Sequence, residues 1–427
     1  MSKGQKSLIA LLAVLLIFFG FVVTRIGIAK PSSSVKLAKI PAGEYDPAVW
    51  GKNYPLQYES YKKMMDMSPS PTGYGGSVKV QKSEMMPELL INFKGMPFSK
   101  DYAEDRGHVY ALEDLRDSKR IGPASKGACI TCKTPYVEKF FQEDGWGYAN
   151  KPLNELLDKA EHPVTCAECH DSETMNLRVV NPAFIEAQQK RGIDVTKASR
   201  EEMRTYVCAQ CHAEYYFEPG TTKVVFPWNK GLKPGEMYDV YAEKPGNFAQ
   251  DWKHPDSQAS MLKAQHPDYE TFSTGTHAKA GVACADCHMP YMRKDGQKYT
   301  SHWVTSPLKT LDASCSSCHS QGTEWLQERV KTMQDETFQT LHAAGTVIGK
   351  AHLAIKTASE VPNADQNELA KARELVRKAQ WYWDFVAAEN SMGFHNPDQS
   401  IHTAAQALDM GYQAIEAANR AAGINTL

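Results

Sequence analysis

No cysteine in this 427-residue chain lies outside a C-x-x-C pair, and neither sign of charge dominates. Beyond the first 30 residues no long apolar run occurs, and period-2 strand patterning is scarce. Each absence excludes something. With 48 basic and 50 acidic side chains the formal net charge is −2, which rules out the basic surface that nucleic-acid binding needs. Scarce alternation argues against a β-sandwich or barrel. An apolar content of 42 % with 10 % aromatics is enough for a large core and excludes a disordered chain.

The first 30 residues stand apart. Lys3 and Lys6 precede an apolar run from Leu8 to Val23, closed by Thr24 and Arg25. A basic segment before such a run marks export. It is slightly long for a signal peptide and short for a spanning helix unless Ile26, Ile28 and Ala29 extend it. Residues 1–30 therefore read as a signal peptide or, slightly favoured, an N-terminal membrane anchor. Either puts the remainder outside the cytoplasm, in the periplasm or on the outer face of the cytoplasmic membrane.

Ten cysteines in an exported protein would ordinarily suggest disulfides. Here they form five pairs, Cys129/Cys132, Cys166/Cys169, Cys208/Cys211, Cys284/Cys287 and Cys315/Cys318, with none left over. Four pairs are followed directly by histidine (His170, His212, His288 and His319) and the first by Lys133. C-x-x-C-H is the attachment signature of c-type haem, whose vinyl carbons take the two thiols while the histidine becomes an axial ligand. With 14 histidines in the chain, four such coincidences have a chance probability on the order of 10⁻⁵. Zinc sites do not demand the trailing histidine, and thioredoxin-like pairs do not recur five times. The count implies five covalent haems. Ten histidines lie outside the motifs, more than enough for four distal ligands.

Lys133 carries the most information. An amine binds iron only when deprotonated, against an ordinary pKa of about 10.4, so the position predicts a site that biases lysine strongly toward its neutral form. Changing an axial ligand changes what a haem does. A chain that only relayed electrons would gain little from it.

One C-x-x-C-K motif followed by four C-x-x-C-H motifs resembles the pentahaem cytochrome c nitrite reductases that form ammonia, over residues 45 to 420 or so. The resemblance implies a mainly α multihaem cytochrome with a haem-packed core, few short strands and long C-terminal helices. It also implies six-electron reduction of nitrite to ammonium at the Lys133 haem, fed by four bis-histidine haems.

The segment Cys211-His212-Ala213-Glu214-Tyr215 is similar to one in which the glutamate binds calcium and the tyrosine gives its carbonyl to calcium and its hydroxyl to substrate. Lys263-Ala264-Gln265-His266 is similar to a second, in which Lys263 gives a carbonyl, Gln265 a side-chain oxygen, and His266 faces substrate. An oxygen set with one carboxylate suits one calcium ion. Arg120 matches the family's substrate arginine, with Arg106 and Arg116 as alternatives. By likeness of position, His108 is the distal ligand of the third haem, His277 of the fifth, His302 of the second and His395 of the fourth, with His402 as rival for the last. His162, His254, His342, His352 and His402 are then structural or surface residues. Arg120, His266 and calcium are expected to supply positive charge, with His266 as proton donor beside Tyr215. Without the likeness, Glu214 reads as a surface charge, His266 as a loop histidine and Arg120 as a solvated loop cation.

Residues 31–60 read as an extended lead-in within a haem-bearing region, 31–320. Region 321–427 reads as helical, with Leu326, Val330, Met333, Leu341 and Ile348 spaced for one helix. Leu369, Leu375, Val376, Ala379 and Val386 mark a second, and Ile401, Ala405, Leu408 and Ile415 a third that Gly423 caps. Packing of the three on one another is the direct reading; the likeness implies a homodimer interface there. The electron donor is expected to be a membrane-bound quinol-oxidising multihaem cytochrome or a soluble cytochrome. A pentahaem electron carrier without substrate is the competing function, and Lys133 is what separates the two.

Overall fold

The computed structural model describes residues 37–243 and 250–424, so the predicted signal or anchor at 1–30 lies outside the described residues. The described residues from Ile40 onward form one compact unit. No helix among the described residues is long and apolar enough to cross a membrane.

Three long helices dominate the C-terminal part: α1 (Thr323–Ser359), α2 (Gln366–Ala388) and α3 (Pro397–Ala421). At 1.5 Å per residue α1 is roughly 55 Å long. Each boundary has a local cause. Asp365 caps α2 by accepting from the N–H groups of Asn367 and Glu368. Asn396 caps α3 through Gln399 N, with Pro397 at the first helical position. Past the end of α3, Gly423 sits at φ +73°. There its N–H reaches Arg420 O at 3.0 Å and that of Ile424 reaches Asn419 O at 2.9 Å, the paired bonds of a left-handed helix cap.

The three helices pack on one another. In α1 the predicted Leu326, Val330, Leu341 and Ile348 are buried, as are Leu369, Val376, Ala379 and Val386 in α2. For α3 the structure corrects the expectation. Ala405 is exposed, and Ile401, Leu408 and Ile415 are only half-buried. The inner face is instead Thr403, Ala404, Ala407, Gly411, Ala414, Ala417, Ala418 and Ala421. Small residues let α3 lie close to its neighbours: a Cβ on Gly411 would meet Val347 Cγ1 at 3.0 Å.

The rest is short helices, 3-10 turns and three antiparallel hairpins: β1 (Tyr216–Phe217) with β2 (Val224–Val225), β3 (Trp252–Lys253) with β4 (Ser260–Met261), and β5 (Tyr291–Lys294) with β6 (Gln297–Thr300). Side chains alone build two sizeable apolar cores, more than the haem count required. One lies about the first and third C-x-x-C pairs and includes Phe184, Trp228 and Trp381, while Cys166 of the second pair packs on a smaller cluster with Ile40 and Trp50. The other joins α1–α3, with Trp383 of α2 at its centre, to Phe93 and Trp252.

Candidate haem and substrate site

Each C-x-x-C pair sits on or beside a helical turn, which puts two thiols and the next residue on one side. Cys166–Cys169 and Cys284–His288 are helices, and Arg200–Ala209, N-capped by a Ser199/Glu202 box, delivers Cys208. The N–H groups of His170, His212 and His319 each bond back at 2.9 Å to the carbonyl of the first cysteine of their pair. Lys133 N instead reaches Ile130 O at 3.0 Å, so the first motif has a tighter turn.

No disulfide joins any of the ten cysteines, and nine of them are half-buried. Cys318 is the exception. It is exposed. The cause is its place in the chain. Residues 316–320, all exposed and including His319, form a polar turn between the short helix Leu311–Ser314 and the start of α1. Only Ser317 Oγ, at 3.8 Å, bonds the Cys318 sulfur. The fifth pair therefore stands at the protein surface, with Cys315 on its inner side.

Every motif histidine faces a second imidazole. Ring centres are 6.1 Å apart for His170 and His302, 6.4 Å for His108 and His212, 6.3 Å for His288 and His395, and 6.2 Å for His277 and His319. A metal–imidazole bond is about 2.0–2.1 Å and a ring nitrogen lies about 1.1 Å from its ring centre, so two imidazoles sharing one metal should sit about 6.2–6.4 Å apart. The spacing therefore fits an iron between each pair. His212 also has His266 at 6.5 Å. His402, the rival of His395, is exposed on α3. His254 and His352 are fully buried and stacked at 3.7 Å, while His342 bonds Glu88 at 3.1 Å. Beside His302 a cavity of about 830 Å³ is lined by Ser301, Trp303, Lys63 and Lys309. Both lysines lie over the Trp303 ring, a setting suited to anionic propionates.

At the lysine motif, Lys133 Nζ pairs with Asp105 Oδ2 at 2.8 Å, their side chains 23 % and 42 % exposed. Burial alone would lower the lysine pKa, but the Asp105 carboxylate outweighs it and holds the amine above its ordinary range. Deprotonation has to come from metal ligation itself, which couples proton release to binding.

The other pocket residues lie within electrostatic reach. Asp105, raised by burial, is pulled lower overall by Lys133, His266 and Arg120. Burial pushes the Tyr215 hydroxyl well up, with Arg120 opposing. His266 is lowered to about 3, first by burial and then by Lys133, and its Nδ1 is buried without a partner. Both effects favour the neutral ring. The Arg120 guanidinium lies 4.2 Å from the Phe98 ring centre, and its Nε bonds Ser118 Oγ at 3.2 Å. The alternatives are committed elsewhere: Arg106 bonds Asp114 at 2.7 Å, and Arg116 bonds Leu157 O at 2.7 Å.

The oxygen donors also come together. Glu214 is fully buried and accepts from Tyr241 Oη at 2.9 Å and Gln265 N at 2.6 Å. Burial pushes its carboxyl well above the usual range, a setting that a bound cation would relieve. Gln265 Nε2 lies 3.4 Å from Lys263 O, and rotating the amide would put its oxygen beside that carbonyl. The segment is pinned to α2 by Asp384, which takes Ala264 N at 2.7 Å and the buried Lys263 Nζ at 3.0 Å.

Comparison with known proteins identifies the family. The sequence description of the cytochrome c552 family matches residues 46–426. The chain belongs to the cytochrome c552 family. Among its relatives, the cytochrome c nitrite reductase subunit NrfA of Nitratidesulfovibrio vulgaris is 40 % identical over 421 residues, covering 90 % of this chain and 80 % of the relative. Cytochrome c-552 of Parabacteroides distasonis is 40 % identical over 370 residues, covering 85 % and 74 %. The solved catalytic subunit of cytochrome c nitrite reductase from Desulfovibrio desulfuricans, described with two calcium sites, superposes with a TM-score of 0.84 at 37 % identity, covering 91 % of this chain and 89 % of its own. Like these members, the chain is an oxidoreductase of the nitrite reductase kind, a multihaem c-type cytochrome.

Sequence reasoning missed Asp105, Asp268 and Glu389. Asp268, two residues after His266, was within sight of a motif. Glu389 carried no signal.

Proposed function

We propose that this enzyme reduces nitrite to ammonium, NO₂⁻ + 6 e⁻ + 8 H⁺ → NH₄⁺ + 2 H₂O, in a pocket built on the Lys133 motif. The supporting observation is that four motif histidines each face a second imidazole at metal-sharing distance while Lys133 stands in the fifth place among Arg120, Tyr215 and His266. Cys129 and Cys132 would hold the substrate haem with Lys133 as its proximal ligand. The remaining pairs would hold four haems between His170 and His302, His212 and His108, His288 and His395, and His319 and His277. When bound, c-type haem supplies iron that accepts and passes single electrons.

The chain's own residues supply the rest. Arg120 holds the anion by charge, and a preorganised cation there favours loss of oxygen. Neutral His266 donates an N–H, and Tyr215 a hydroxyl whose raised pKa keeps its proton. Glu214 with Gln265 and the carbonyls of Tyr215 and Lys263 would hold one calcium ion, whose charge relieves the buried carboxylate. The reaction is placed outside the cytoplasm, with electrons from a quinol-oxidising membrane cytochrome or a soluble cytochrome. A homodimer through the long helices is supported by exposed Leu353 on α1 and Tyr412 on α3.

Spectroscopy on haem-loaded Lys133→His tests the lysine assignment. Wild type should show five haems, four low-spin and one high-spin, and the variant five haems with slowed nitrite turnover. Four haems in wild type, or unchanged turnover in the variant, would remove it.

A further inference from the structure

The four imidazole pairs differ in what holds the ring nitrogen turned away from the partner. For His170 and His302 both Nδ1 atoms rest on main-chain carbonyls, Met175 O at 3.0 Å and Thr300 O at 2.9 Å. His288 Nδ1 likewise meets Thr305 O at 3.0 Å. Two others meet carboxylates. His212 Nδ1 is 3.0 Å from Asp268 Oδ2, and His395 Nδ1 is 2.5 Å from Glu389 Oε1, a close ionic contact off hydrogen-bond alignment. Asp268 is 7 % exposed and Glu389 2 %.

A single segment between α2 and α3 ties these contacts together. Asn390 donates to Asp268 through its backbone N at 2.7 Å and its Nδ2 at 2.9 Å. Glu389 accepts from Ser391 N at 3.1 Å, Ser391 Oγ at 2.8 Å and Gly393 N at 3.2 Å, and His395 N donates to Ser391 Oγ at 2.9 Å. Asp268, Glu389 and His395 offer ligand atoms within 4.8 Å of one another. These donors already occupy the carboxylate oxygens, which argues against a shared cation.

A carboxylate against a ligating imidazole raises the ring's basicity and stabilises the more highly charged metal, an effect a neutral carbonyl produces only weakly. We propose that Asp268 and Glu389 are positioning residues that make His212 and His395 strongly donating ligands and so set the third and fourth haems at lower potential than the second. This rests on the ligand pairs proposed above.

The test is an EPR-monitored redox titration of the full, haem-loaded chain. Asp268→Asn should raise one bis-histidine haem by at least a tenfold change in its ferric-to-ferrous ratio at fixed potential, about 59 mV for one electron. Asp268→Glu should restore it. Asn390→Ala removes a competing donor from Oδ2 and should move the same haem the other way, a sign reversal that a purely structural role does not produce. Glu389→Gln should raise a different haem, and it carries the test with Asn390→Ala if Asp268→Asn fails to load. Unchanged potentials in loaded variants with intact low-spin signals overturn the proposal and leave the ligand pairs standing. Fewer than four bis-histidine signals in wild type overturn both.

Discussion

Replacing Glu214 by Gln keeps the shape of a fully buried side chain and removes its charge. In wild type, Tyr241 Oη and Gln265 N donate to that carboxylate at 2.9 and 2.6 Å. Hydrogen bonds to an ionised group are worth about 1.5–3 kcal/mol and neutral ones about 0.5–1.5, so the change costs about 1 kcal/mol per donor, or about 2 for the pair. The larger effect is on the metal, since Glu214 is the one carboxylate of the proposed donor set. An ion held at 1,000 times its Kd stabilises the fold by about 4 kcal/mol, and a chelator removes that. Wild type should therefore contain stoichiometric calcium and melt at a lower temperature after chelation. Glu214→Gln should contain little calcium, melt lower from the outset and ignore the chelator, with all five haems retained. A variant with full calcium content, or a wild type whose melting and activity do not respond to chelation, would refute the reasoning.

Arg120→Ala should slow nitrite turnover about 10²–10³-fold with haem spectra intact, the usual loss for one preorganised donor, while Arg116→Ala stays near wild type in steady-state kinetics. His395→Ala should convert one low-spin haem to another coordination state in absorbance and EPR spectra, whereas His402→Ala should change neither. His352 is lowered to about 3 by burial and by His254, while Ser257 and Gln380 occupy its two nitrogens at 2.8 Å. A histidine depressed in the folded state gives stability that is complete above its ordinary pKa of about 6.5 and lost as pH falls toward 3. Two units of that shift, to pH 4.5, correspond to about 2.7 kcal/mol. Denaturant titrations at pH 7.5 and 4.5 should show a loss of that size in wild type and a clearly smaller one in His352→Asn.

What the sequence reveals here follows the range of each signal. Cysteine spacing is local chemistry, so the five attachment motifs and the odd lysine are readable without a fold. Their burial is not, and the exposed Cys318 shows it: its motif has the same spacing as the enclosed ones. The facing imidazoles are equally out of reach. His277 lies seven residues before Cys284 yet faces His319 across the next motif. Positions of that kind were available only through family likeness. The long helices were legible from apolar periodicity, but the inner face of α3 was not. Close packing selects alanine and glycine there, and small residues leave little hydrophobic signal. The electrostatic contacts of the pocket were out of reach for a related reason. Neither the Asp105 contact with Lys133 nor the burial that lowers the His266 pKa has a sequence signature.

The central claim is a six-electron reduction of nitrite, and product stoichiometry tests it most directly. Purified, haem-loaded protein supplied with reduced viologen and nitrite should yield one ammonium per nitrite consumed, with about six viologen equivalents oxidised for each. Nitric oxide or hydroxylamine as the end product, or viologen oxidation that does not depend on nitrite, would contradict it.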